Sequence, residues 1–112
     1  MNNPEILEGN KLIAEFMGKK IRGNWVLVGD KYNGEYAVSL LKYNTDWNDL
    51  MHVWCKIRSK FWETCGYNED FKLFKDDFLY GVFNGAIKVS FDVVVEMINY
   101  YTTKFKKYDT NI

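Results

Sequence analysis

Trp47, Leu50, Trp54, Ile57 and Phe61 recur at gaps of three and four, and no other feature constrains this chain as much. That period belongs to a helix with one apolar stripe. Met51 and Val53 widen the stripe, while Asn48, His52, Lys56, Ser59 and Glu63 fall on the opposite face. Asp46 stands where an N-cap belongs, Asp49 sits where a capping-box acid would, and Gly66 supplies a stop. Such a helix must bury two tryptophans against something, so the rest of the chain has to build a core. The material is present: 47% of the 112 residues are hydrophobic and 18% aromatic. That is enough for one domain over residues 1–112, without metal or disulfide staples.

Other segments read less sharply. Residues 3–18 suit a helix, with Asn3 as cap, Pro4 at the first position and Gly18 at the end. Leu12, Ile13, Phe16 and Met17 make its apolar face, and Gly9 weakens its first half. "NWVLVG" and "EYAVSLLKY" are rich in β-branched and aromatic residues and read as strands, joined through the Asn33-Gly34 turn. "FKLF" and "FLYGVF" read as two more short strands around the turn-like "KDD", before a second Asn-Gly pair at Asn84-Gly85. Residues 90–105 alternate between signals. The Val93-Val94-Val95 run favours a strand locally, but length and spacing favour a helix. That helix carries Phe91, Val94, Val95, Ile98, Thr102 and Phe105 on one face, with a second apolar line of Val93, Met97 and Tyr100. A frayed tail is expected from Lys106 onward. The order of elements predicts an α+β fold, with a small, mostly antiparallel sheet packed by about three helices in an alpha/beta/alpha sandwich-like arrangement.

Charge excludes some function classes. Fifteen basic and fifteen acidic residues cancel, which argues against a dedicated nucleic-acid binder. Cys55 and Cys65 lack metal-type spacing and read as reduced thiols. No apolar stretch follows a basic start, and no run is long enough to span a membrane. The expectation is a cytoplasmic protein of a bacterial host.

The quoted segments carry a resemblance. "LIAEFMG", "YNTDWNDLMHVWCKI" and "FDVVVEMINYY" resemble, in order, three blocks of a family of small phage, prophage and Bacteroidetes proteins associated with the phage ABA sandwich domain. The family's middle block runs Tyr-x-x-Ser-Trp-Asp-Trp-Leu-Met-Pro-Val-Val-x-Lys-Ile. Tyr43, Trp47, Leu50, Met51, Val53, Lys56 and Ile57 match it, and Val94, Val95, Glu96, Ile98 and Tyr101 match the last block. The blocks cover about a third of the chain. Asp46 replaces the family's Ser and keeps a capping residue, Asp49 replaces its second Trp, and His52 replaces its Pro. The loss of that Trp weakens any aromatic binding surface there. The resemblance implies a sandwich fold, a phage context and a last helix that begins before Ser90. It supplies no reaction.

Candidate chemistry is sparse. His52 and Cys55 lie three apart on one helix, close enough for a thiolate–imidazole pair, but they sit on its polar face with no third group. An exposed His and a semi-buried structural Cys are the plainer account. Glu69, Asp70, Asp76 and Asp77 form an acidic stretch without the pattern of a calcium loop, and a single His leaves no metal set. No cofactor is expected. Lys19, Lys20 and Arg22 form a basic connector that, with Lys104, Lys106 and Lys107, would suit a phosphate backbone. Equally, they are ordinary cations after a helix C-terminus. Trp47 belongs to the buried stripe, so the functional remainder of the segment is a polar rim of Tyr43, Asn44, Asp46 and Asp49.

Two functions remain in view. One is a small, non-enzymatic phage or prophage accessory protein that binds another protein, self-associating as a homodimer through Val93, Met97 and Tyr100. The other is a small-ligand or nucleotide-binding module of the anti-defence kind, resting on the basic connector and the aromatic-acidic turn. The first is preferred, because no catalytic constellation is present.

Overall fold

A computed structural model describes residues 4–23, 25–30, 34–40, 42–64 and 66–104. Its elements run α1 (Pro4–Phe16), β1 (Lys20–Arg22), β2 (Trp25–Asp30), β3 (Gly34–Leu40), α2 (Trp47–Thr64), α3 (Glu69–Phe83) and α4 (Ile87–Lys104). Helices dominate, and they pack on one another. The three strands pair antiparallel in the order β1-β2-β3 and meet the helices chiefly where β1 follows α1. The expected α+β sandwich is therefore overturned: the core cluster lies between helices, and among the described residues no sheet forms a central layer between them.

The decisive departure is residues 69–83. Two short strands were expected there, and a single helix, α3, stands in their place. Its physical reason is local. Asn68 caps the helix, its side chain accepting from the Phe71 N–H at 2.9 Å, and Glu69 and Asp70 place negative charge in the first turn. Phe71 and Phe78 are buried and Phe74 and Val82 half-buried, a helical spacing that only looked like two apolar strand ends. The "KDD" between them is one solvent-facing turn of this helix. The end is closed by a Schellman motif: Ala86 N–H donates to Gly81 O at 2.8 Å, Gly85 N–H to Val82 O at 3.3 Å, and Gly85 takes φ 64°. The same pair of bonds closes α1 around Gly18, from Lys19 to Ala14 and from Gly18 to Glu15.

α4 is the central helix, packing against α1, α2 and α3. That explains its two apolar lines. Phe91, Val94 and Ile98 are buried, and so are Val93 and Met97. Exposed Lys88, Asp92, Glu96, Asn99 and Thr103 make one narrow polar line, and the three neighbouring helices cover the broad apolar remainder. α4 also starts at Ile87, three residues before Ser90. Phe105, Lys106 and the tail lie outside the described residues, as does Cys65.

Aromatic rings join the helices. Trp54 of α2 stacks on Phe78 at 4.2 Å and 6°, and on Phe71 at 5.9 Å. Phe61 stacks on Tyr100 of α4 at 5.6 Å.

Candidate functional site

The polar rim is built from a turn and a helix start. Thr45 and Asp46 donate their N–H groups to Lys42 O, folding the chain back before α2. Asp46 then caps α2, its Oδ1 accepting from the Asp49 N–H at 3.2 Å. Asn44 is tied to α1, accepting at Oδ1 from Asn10 Nδ2 at 2.9 Å. Tyr43, Asn44 and Asp46 are half-buried, whereas Asp49 is exposed. Burial, and then the charge of Asp49, raise the Tyr43 hydroxyl above its ordinary pKa of 10.0. These bonds are the work of a structural corner that holds α1 against the start of α2. The Asn10 side chain is buried in that corner, and its Oδ1 has no partner among the described residues.

The basic connector follows α1 and runs into the first strand. Lys20–Arg22 is β1, and Lys19 and Lys20 are exposed beside the end of α1. The cation that does meet that helix end was read as a solvent-facing residue of α2. Lys56 Nζ donates to Phe16 O at 2.6 Å and lies 4.9 Å from the Phe16 ring centre. A cation on the last carbonyls of a helix is favoured by the macrodipole.

The apolar line of Val93, Met97 and Tyr100 does not reach the surface as a patch. Val93 and Met97 are buried within the chain, and Tyr100 is covered by Phe61 of α2 and Phe74 of α3. Its hydroxyl donates to Asp70 Oδ2 at 2.5 Å. The neighbouring helices cover Val93 and Met97, and Tyr100 is half-buried between them.

Sequence reasoning missed an apolar surface on α3, which is separate from the exposed Met51, Trp62 and Tyr67 elsewhere. Leu73, Tyr80 and Phe83 of α3 are 65%, 62% and 82% exposed. Spaced by seven and three, they share one side of the helix. Glu69, Asp76 and Asp77 lie within four residues of them on the same side, with Lys72 as the one cation at that border. Reading 71–74 and 78–83 as two strands hid this face, because a turn separates Leu73 from the other two and a two-residue period sends Tyr80 and Phe83 to opposite sides. The signal that reveals it is Asn68-Glu69-Asp70, a cap followed by two acids.

His52 and Cys55 are both exposed, so the thiol is less sheltered than expected. Among the described residues no group of three or more His, Cys, Asp or Glu converges as a metal set. None of the described helices is long and apolar enough to cross a membrane. Comparison with protein-family models, with curated proteins and with solved structures finds no match to this chain.

Proposed function

We propose that this chain is a non-enzymatic partner-binding module, of the phage or prophage accessory kind that its sequence blocks resemble. The exposed face of α3 carries the reading. Large apolar side chains left in water on an otherwise packed helix bind when something covers them. The residues on the inner side of the same helix are buried, so the outer side is presented on a fixed support.

The charge pattern selects the partner. Carboxylates of Glu69, Asp76 and Asp77 border the apolar residues. A two-fold pairing of this face with itself would set Asp76 and Asp77, at the middle of the stripe, against their own copies. Like charges there oppose self-association. An amphipathic helix of another protein, with an apolar ridge flanked by Lys or Arg, satisfies both features.

The test compares the wild type with Tyr80→Glu and Phe83→Glu. A helical peptide with a Leu/Phe ridge flanked by lysines should bind the wild type. The same ridge flanked by glutamates should not, and both variants should lose at least about tenfold in affinity. Equal binding of both peptides, or undiminished binding by the variants, would remove the proposal. A host protein retained by the wild type and released by both variants would identify the natural partner.

A further inference from the structure

A second surface lies in the cleft between α2 and α3. Trp54, Arg58, Tyr67, Phe71, Lys75 and Leu79 line about 250 Å³ there. The charged groups on this lining are all cations. In the two other clefts described, carboxylates are present: Glu15 beside Lys56 and Lys60 in one, Glu5 and Glu8 in the other.

Nothing within the helices neutralises the two cations. The residues three and four away from Arg58 are Trp54, Cys55, Phe61 and Trp62. Those flanking Lys75 in the same way are Phe71, Lys72, Phe78 and Leu79. No acid stands where it could pair along either helix. Among the described residues neither cation makes an ion pair, and both are exposed. The wall behind them is aromatic, with Tyr67 stacked on Phe71 at 4.4 Å and Phe71 on Trp54.

We propose that this cleft binds a small aromatic carboxylate. Drug-sized ligands fill about 300–1,000 Å³, so a cleft of this size suits one ring with one anionic group. The carboxylate meets the planar fork of Arg58, which matches its two oxygens, and the point charge of Lys75. The ring lies against Tyr67 and Leu79, where the apolar wall lowers the local dielectric and strengthens the ion pair. This inference stands apart from the α3 outer face, which uses different residues.

Titration of the full chain with phenylacetate tests it, followed by NMR at the Trp54 indole N–H and the Arg58 and Lys75 amides. Saturable shifts at those positions are expected. Arg58→Gln and Lys75→Gln should each lose at least about tenfold in affinity. Phenethylammonium keeps the ring and inverts the charge, and it should shift nothing. Inorganic phosphate binding as tightly as phenylacetate would reduce the cleft to a non-selective surface anion site and overturn the proposal. Silence of these signals up to the solubility of phenylacetate would overturn it as well. Should a variant fail to fold, the contrast between the two ring probes on the wild type still decides.

Discussion

Gly81 of α3 and Ser90 of α4 bring their two helices into backbone contact. A Cβ on Gly81 would stand 2.9 Å from Ser90 N and 3.0 Å from Ala86 O, and closer still to Ser90 Oγ. That hydroxyl is itself fixed, donating to Phe78 O at 2.8 Å. The tight turn from α3 to α4 thus depends on the absence of a side chain.

Gly81→Ala tests this contact. Alanine normally favours a helix interior by up to about 1 kcal/mol over glycine. Here the clash is with backbone, which cannot swing away, and overpacking typically costs about 1–3 kcal/mol. The expected outcome is net destabilisation, read as a lower denaturation midpoint. A stabilised variant would show that α3 and α4 are further apart than described.

Trp54→Ala should cost about 3–5 kcal/mol, the usual range for a buried large aromatic. Trp54 is 6% exposed and stacks on Phe71 and Phe78. Trp47, at the start of the same stripe, is only half-buried, so its alanine variant should lose clearly less. Chemical denaturation of both variants provides the comparison, and equal losses would contradict the graded burial along α2.

Lys56→Met keeps the aliphatic stem and removes the charge that meets Phe16 O. Hydrogen bonds to charged groups are worth about 1.5–3 kcal/mol when intact, and partial exposure reduces this. A loss of about 1–2 kcal/mol is expected, with hydrogen exchange of the last turn of α1 accelerated more than that of α2. Uniform acceleration would place the effect elsewhere.

Caps, glycine stops and three-four spacing made α1, α2 and α4 legible, because each signal acts within a few residues. α3 was not legible in the same way. Its Phe71, Phe74, Phe78 and Val82 serve a helical period, but a run of aromatic and β-branched residues with a polar middle also satisfies strand propensity. Asn68 could have decided between them. The error propagated, since the fold class and the exposed face both turn on that one element. The second apolar line of α4 was ambiguous for a different reason: whether Val93 and Met97 face outward depends on how many helices surround α4, which the pattern of one helix does not contain. Lys56 shows a third kind of loss. A long side chain on a polar face reached the end of a distant helix, a tertiary contact with no local signature.

Alkaline pH should weaken the fold through two tyrosines. Tyr100 donates its hydroxyl to Asp70 and Tyr43 is half-buried beside Asp49. The Asp70 bond chiefly, then burial, hold the Tyr100 hydroxyl above its ordinary 10.0, while burial and then Asp49 do the same for Tyr43. Both groups therefore keep their protons more firmly in the folded chain than in the unfolded one. The folded state binds more protons over the interval between the two values, so stability falls as pH rises there. Their contribution is fully present below the unfolded tyrosine value near 10 and is lost as pH climbs through the raised folded values. Denaturation midpoints at neutral pH and at increasing alkaline pH measure the loss. Lysine titration contributes to the same decline, so the informative quantity is the difference between wild type and variant. Tyr100→Phe cannot ionise and should show a shallower decline than the wild type, as should Tyr43→Phe, and the double variant should be shallower than either. Parallel curves for all four proteins would mean that neither hydroxyl titrates differently on folding, and that the Tyr100–Asp70 bond does not hold the end of α4 to the start of α3 in solution.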